Sequence, residues 1–376
     1  MKSFAYEDFT LLVDGKTAFP AILSCIEKAR EIILVNMFIW RDDAIGNRMA
    51  EAICAAADRG VSVTLSVDRY GVVLEKSEES RRSFFHKSQT PSERLKSRAL
   101  SIFYPMKGAP KRAKDQTSPL YERIVHHPNI TLDVNSFKAD HSKYYIIDNE
   151  ILFLGGINVE DKENGADMQG RVYRDYMVKI EGSEHVEAFL EKLRTGADVA
   201  KGYSFGINRK KLGLFEMEER YLSLIREARE SLEIHMAYFS PLPRFLDAIT
   251  EAYERGVAVT VVIPEHANYQ SDSNYKTVKK LMKRTNNGIA LYLTPKMAHT
   301  KLIANENWIS LGSTNVTKKA FGQLDELNLF VEGKENPLAA AIRVDLEGER
   351  TRAARVLSDK SLRYRPIMAW LEGFLV

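Results

Sequence analysis

The chain has 376 residues, 44% of them hydrophobic and 28% charged, with a formal net charge of +3. That length suits one large or two medium domains with complete cores, and the composition excludes a low-complexity or disordered protein. Cys25 and Cys54 are too few for a disulfide framework, and neither their number nor their spacing suggests a metal site. Both lie in amphipathic helical runs and are expected as buried free thiols. Apolar runs fall short of the ~20 residues that a membrane span needs, and MKSFAYEDFTLLVDG lacks a basic-then-apolar signal pattern. The expected location is therefore the cytoplasm, with association at a membrane surface. Charge is uneven: between Glu75 and Arg123, 12 Lys or Arg stand against 6 Asp or Glu. Such a stretch is either a solvated basic loop or a face for lipid headgroups or nucleic acid.

In chain order, Lys16 to Arg30 reads as a helix with apolar positions at Phe19, Ile22, Leu23 and Ile26. Glu31 to Trp40, EIILVNMFIW, has the unbroken β-prone character of a buried central strand. Asn47 to Arg59 is a second helix stopped by Gly60, and Val61 to Asp68 the next strand. This is α/β grammar. From about Val72 to Asp133 no clean apolar face appears, so the stretch reads as an irregular lid or flank with Phe103 and Tyr104 near its tip. Glu184 to Leu193 is a helix, and Arg194 to Arg209 a Gly-containing linker. Pro337 to Asp345 and Thr351 to Leu357 look helical, and the tail with Trp370, Phe374 and Leu375 is expected to pack into the core.

Much of this is written twice. IEKAREIILVNMF from Ile26 aligns with IREARESLEIHMAYF from Ile225, and DRGVSVTLSVD from Asp58 with ERGVAVTVVIP from Glu254. An internal duplication at this scale predicts two copies of one α/β unit. The first lobe should span 1–200 with the basic insertion at about 72–133, and the second 210–376 with C-terminal helices. Packed face to face in a monomer, the two copies would bring their equivalent motifs together.

Those motifs are HSKYYIIDNEILFLGGIN from His141 and HTKLIANENWISLGSTN from His299. Residues i and i+2 of a strand share a face, so His141 projects with Lys143 and His299 with Lys301. An imidazole beside a fixed ammonium suits chemistry on an anion, with phosphate the leading candidate. A neutral imidazole can attack phosphorus to form a phosphohistidine, while a second one protonates the leaving alkoxide and later deprotonates the acceptor. Lys143 and Lys301 supply positive charge, and Asn158 and Asn315 supply amide donors for the non-bridging oxygens. Gly156 and Ser313 should line the substrate. Tyr238 is expected either to line an acyl or headgroup channel or to pack in the core. No metal or other cofactor is expected. Asp175 and Glu326 occupy comparable places and are assigned to orient His141 and His299 respectively. His126, His127, His185, His235 and His266 read as ordinary core or surface histidines.

The paired H-x-K-x4-D motifs, each followed by G-G/S-x-N, resemble those of the phospholipase D superfamily. The similarity runs from about Leu12 to Gly333 and is closest to bacterial cardiolipin synthases of the shorter, soluble kind. It is carried also by RGVSVTLSVDRYG, YRDYMVKIEG, YFSPLPRFLDAI and GSTNVTKKAFGQLDELNLFVEG. The resemblance implies two pseudo-symmetric α/β/α sandwich lobes, each a mixed sheet flanked by helices. It also implies metal-free phosphatidyl transfer through a phosphohistidine on the first-motif His. The partners so implied are an anionic phospholipid, phosphatidylglycerol foremost, and an alcohol acceptor. Hydrolysis of phospholipid and phosphodiester cleavage in nucleic acid are the rival activities, and a catalytically dead scaffold the rival of another class. Glu306 departs from the family's Asp, which the first copy keeps as Asp148. Seven residues of strand carry this carboxylate away from the His–Lys pair, so it is expected to be structural, with Glu weakening the turn. The basic insertion and the absence of the longer kind's two N-terminal spans are further departures.

Overall fold

The computed structural model describes residues 8–77, 83–86, 88–102, 119–166, 170–198, 202–333 and 336–375. The chain divides into two compact units, one formed by Leu12–Glu187 and the other centred on Ala188–Val376.

The first unit is built on strands β1 (Phe9–Val13), β2 (Ile32–Met37), β3 (Ser62–Val67), β4 (Ile130–Asp133), β5 (Tyr144–Ile147) and β6 (Ile151–Gly155). The two-residue β7 (Tyr173–Arg174) and the longer β8 (Tyr176–Glu181) follow. One mixed sheet has the order β1-β8-β6-β5-β2-β3-β4. The run read as a buried central strand is β2, parallel to β3 and antiparallel to β5. Helix α1 (Asp14–Lys28) buries Phe19, Ile22, Leu23 and Ile26, the stripe visible in the sequence. At roughly 1.5–3 kcal/mol for each large apolar side chain, this face dominates what holds α1 to the sheet. Helix α2 (Ala44–Asp58) is capped by the Asp43 carboxylate on the Gly46 amide at 3.0 Å. It ends at Gly60, whose φ of 95° is a left-handed conformation that side-chain-bearing residues avoid.

The insertion is more ordered than its composition suggested. It holds α3 (Gly71–Ser77), α4 (Pro91–Ser101) and α5 (Pro119–His126). Thr90 and Glu93 form a reciprocal capping box at the start of α4, with Pro91 in its first turn. Phe84 and Phe85 pack against Trp40 at ring-centroid distances of 6.2 and 5.5 Å, so this part of the insertion joins the core. Phe103, Tyr104 and the rest of 103–118 lie outside the described residues, as do 1–7 of the amino terminus.

After α6 (Ser183–Thr195), the second unit repeats the plan with β9 (Tyr203–Arg209), β10 (Leu214–Phe215), β11 (Ser231–Met236), β12 (Phe239–Ser240), β13 (Ala258–Pro264) and β14 (Ala290–Thr294). It continues with β15 (Met297–Ala298), β16 (Lys301–Asn305), β17 (Trp308–Gly312), β18 (Val316–Thr317), β19 (Glu326–Glu332) and β20 (Ala354–Val356). Its sheet order is β10-β9-β19-β17-β16-β11-β13-β14-β20. Within it, β19-β17-β16-β11-β13-β14 reproduces β8-β6-β5-β2-β3-β4 strand for strand, with the same pairing directions. The helices are α7 (Met217–Glu227), α8 (Pro243–Glu254), α9 (Ser271–Arg284), α10 (Lys318–Gly322), α11 (Pro337–Arg352) and α12 (Pro366–Leu375). Gly256, with φ 90°, ends α8 as Gly60 ends α2.

Two expectations about the C-terminal region need correction. The helix beginning at Pro337 runs on to Arg352, and the second expected helix is replaced by β20, antiparallel to β14. Sheet pairing there overrides local helix propensity. In α12, Ala369 is buried, but Trp370 and Ile367 face outward rather than into the core.

Candidate active site

In each unit the His-x-Lys pair lies where the chain enters the strand next to the central one. His141 and Lys143 immediately precede β5, and His299 and Lys301 lead into and begin β16. All four are buried, with Lys143 0% and Lys301 1% exposed. Removing an ammonium from water is costly unless an anion or strong acceptor replaces its hydration. The Lys143 ammonium donates to the His141 carbonyl oxygen and lies 5.1 Å from the centre of the Phe38 ring. Phe38 meets the His141 ring edge-on at 4.7 Å. In the second unit the Lys301 ammonium donates to the His299 carbonyl oxygen and lies 2.9 Å from His299 Nδ1.

The asparagine loops follow β6 and β17 and are pinned in the same way. Trp40 bridges Val159 in parallel, and Phe239 bridges Val316 in parallel. These contacts tie the residue after Asn158 or Asn315 to the continuation of the central strand. The side-chain oxygens of both asparagines are buried and lack a hydrogen-bond partner among the described residues. A buried carboxamide oxygen left this way calls for a hydrogen-bond donor. Both loops thus present the same unfilled group.

Asp175 and Glu326 stand at matching positions, each just before or at the start of the strand paired with the Gly-containing loop. Asp175 Oδ1 accepts from the Tyr176 amide at 2.8 Å, and a Cβ at Gly156 would fall 2.2 Å from Asp175 Oδ2. Only glycine lets that carboxylate approach. The second copy has Ser313 there, and its hydroxyl donates to Glu326 while accepting from the Leu327 amide at 3.0 Å.

Asp148 and Glu306 sit at the hairpin turns beyond the motif strands. Asp148 accepts from the amides of Arg30, Glu31 and Ile32 at 2.8–3.2 Å. Glu306 accepts from Arg229, Glu230 and Ser231, the corresponding amides, at 3.0–3.3 Å. The turns differ: Asp148 and Asn149 have φ of 53° and 54°, whereas the second turn is braced by Asn305 accepting from Asn307 and Trp308. Glu is therefore accommodated by another turn conformation rather than straining the first one.

Tyr238 occupies the place that Phe38 has in the first copy. Its ring lies 6.1 Å from His299 and 6.1 Å from Tyr269, and its hydroxyl donates to Asn268 Oδ1 at 2.7 Å. The first copy instead lines its histidine with Phe38, backed by Tyr70 and Phe137. The ring beside His299 thus bears a hydroxyl, whereas the surroundings of His141 are largely apolar.

Several supporting residues were not visible in the sequence. Buried Arg41 pairs with Glu160 at 3.0 Å and donates to the Glu75 carbonyl oxygen at 2.8 Å. Burial alone would raise the Glu75 carboxyl, but His86 and Arg41 hold it below its usual range. In the second unit, Tyr221 donates to the Thr314 carbonyl and accepts from Asn328, which also takes the Thr314 amide. Sequence spacing gives no hint of either network, because most of their members come from separate, distant segments of the chain.

A duplicated mixed sheet, with a buried His–Lys pair and an unfilled Asn amide beside each central strand, defines an enzyme of the phospholipase D type. A family model described as "Cardiolipin synthase, PLD-like domain" matches residues 22–195 and 221–348. Cardiolipin synthase 2 of Staphylococcus epidermidis is 25% identical over 364 residues, covering 90% of this chain and 68% of the relative. Cardiolipin synthase B of Escherichia coli K12 is 24% identical over 351 residues, covering 86% and 76%. The solved phosphatidylserine synthase of Haemophilus influenzae Rd KW20 shares the fold with a TM-score of 0.73 at 12% identity, covering all of this chain and 93% of that one. The chain belongs to the cardiolipin synthase family of phospholipase D-like proteins. Among the described residues no helix is long and apolar enough to cross a membrane.

Proposed function

We propose that the protein is a phosphatidyltransferase of cardiolipin-synthase type, acting on an anionic phospholipid, phosphatidylglycerol foremost, at a membrane surface. In the first step a neutral His141 nitrogen attacks phosphorus, the N–P bond forms, and the bond to the departing glycerol oxygen breaks. The His299 imidazolium gives that oxygen its proton. In the second step His299 takes the proton of the acceptor hydroxyl, whose oxygen bonds to phosphorus as the N–P bond breaks.

Lys143 and Lys301 offset the negative charge that grows on the phosphoryl oxygens, and the Asn158 and Asn315 amides complete the cradle. The observation that carries the reading is the repetition of one buried set, His, Lys and Asn, in both units. Asp175 and Glu326 are the carboxylates proposed to orient the imidazoles, with Gly156 and Ser313 shaping the approach to them. Tyr238, with Asn268, suits the hydroxyl-rich part of a donor or acceptor, and the Phe38 side suits less polar groups. The positive charge that the chemistry requires is available from these lysines, so the proposed cycle uses no metal or other cofactor.

The test is a product analysis with labelled phosphatidylglycerol, run with and without EDTA. Wild type should form cardiolipin and release glycerol at equal rates in both. His141→Asn should form nothing, and His299→Asn should slow turnover and accumulate acid-labile label on His141. Full activity in His141→Asn, label on another residue, or loss of turnover with EDTA would each refute the scheme.

A further inference from the structure

Helix α12, Pro366–Leu375, is built inside out for a helix that faces water. Surface helices turn charged residues to solvent and apolar ones to the core. Here Glu372 points inward with Ala369, 2% and 1% exposed, while Ile367 and Trp370 are 74% and 56% exposed. Three residues apart, these two share one helix face.

That orientation is held firmly. Glu372 accepts from the Ser273 amide at 2.7 Å, and the Ser273 hydroxyl donates to the Ala369 carbonyl at 3.1 Å. Just before the helix, the Arg365 amide donates to Asp272 at 2.7 Å and its guanidinium pairs with the same carboxylate. The polar residues thus clamp α12 to the start of α9, and the clamp fixes the Trp370 face outward.

The segment leading into the helix carries Lys360 and Arg363, both exposed. An outward Trp and Ile on a helix preceded in the chain by exposed cations match the interfacial layer of an anionic bilayer, where indole rings settle at headgroup depth and basic side chains meet lipid phosphates. We infer that α12 and its basic lead-in dock the protein on an anionic lipid surface. This deepens the proposed lipid activity and rests on it for the choice of occupant. A helix that lies in the interface supplies a reversible hold, which suits an enzyme that must meet its lipid at the bilayer.

The experiment uses the full chain and vesicles of phosphatidylcholine with or without phosphatidylglycerol. Wild type should cosediment with the anionic vesicles. Because Trp370 and Ile367 are exposed, replacing both with Gln should leave folding intact. It should weaken vesicle binding by roughly tenfold or more. Lys360→Gln and Arg363→Gln should each weaken it about fivefold, on anionic vesicles only. Turnover of a short-chain phosphatidylglycerol dissolved below its micelle concentration should be unchanged in all variants.

Absence of vesicle binding by wild type, or binding undiminished in the Trp370→Gln/Ile367→Gln protein, overturns the inference. So does a result in which that variant splits a dimer while vesicle binding persists, since the face would then pair copies of the chain. Trp370-dependent binding without any lipid turnover would instead leave docking standing and sink the catalytic reading.

Discussion

His235 offers the sharpest test of how the second unit is held together. It lies on β11 with no exposure, its Nδ1 3.2 Å from Glu349 and its Nε2 3.1 Å from Glu233. Two carboxylates facing both ring nitrogens require both to be donors, so the ring is an imidazolium. Arg350 joins the cluster through Glu233. Burial alone would depress the His235 pKa, but the two carboxylates outweigh it and push it up to about 9. In the unfolded chain the value is about 6.5. The folded state therefore binds the proton more tightly, and the resulting stability is fully present below pH ~6.5 and lost as pH rises through about 9. A separation of roughly 2.5 pH units corresponds to about 3 kcal/mol, lost at about 1.4 kcal/mol per pH unit across that window.

Urea unfolding at pH 6.5, 8 and 9.5 reads this directly, with His235→Asn as the control. Asn36 holds the matching place in the first unit, where it donates to Asp140 and to the Ser142 carbonyl. Wild type should lose about 3 kcal/mol relative to the variant between the extreme pH values. Equal pH slopes in the two proteins would refute the imidazolium and the ion cluster with it.

Other outcomes follow from the supporting networks. Arg41→Ala takes from buried Glu160 its guanidinium partner and should lower stability by about 3 kcal/mol; a change below about 1 kcal/mol in urea unfolding would show the pair to be idle. Asp148→Ala deprives three backbone amides of their acceptor and should cost about 2 kcal/mol. Its kcat should hold within about twofold, a loss of ~0.4 kcal/mol, and a larger fall in kcat would give that carboxylate a chemical role. Tyr238→Phe removes the hydroxyl bonded to Asn268. Products formed with glycerol as acceptor should shift from transfer toward hydrolysis, and an unchanged ratio would separate Tyr238 from acceptor binding.

The duplicated sheets were legible because their strands and helices carry regular patterns. The Phe19, Ile22, Leu23 and Ile26 stripe and the EIILVNMFIW run say the same thing locally that the packing says globally. The two His-x-Lys pairs were legible for a related reason, since period two fixes which residues share a strand face. Helix α4 was missed because it buries Glu93, Ser97 and Leu100, a face without apolar periodicity, while Leu95 points outward. Its T-P-S-E opening was nonetheless a capping signal. The His235 cluster had half a signal in Glu233-x-His235, but Glu349 arrives from α11 and leaves none. Trp370 was misjudged because composition alone suggested core, and only the inward Glu372 reveals the helix's true orientation.

The Trp40–Val159 and Phe239–Val316 bridges have one more implication. In the second unit the Phe239 amide is taken by Asn274 on α9 at 2.7 Å, and in the first the Trp40 amide is taken by Glu75 on α3 at 3.3 Å. Helix α3 thus begins as α9 does and performs the same duty before breaking off at Ser77. The chain then returns to the same joint, where Phe84 donates its amide to the Trp40 carbonyl oxygen at 3.0 Å and Phe84 and Phe85 pack on the Trp40 ring. Length can therefore change beyond His86 while Trp40 keeps its Glu75, Phe84 and Phe85 partners and the loop that carries Asn158 stays pinned, which makes that stretch the natural place to graft a new recognition surface onto an unaltered catalytic frame.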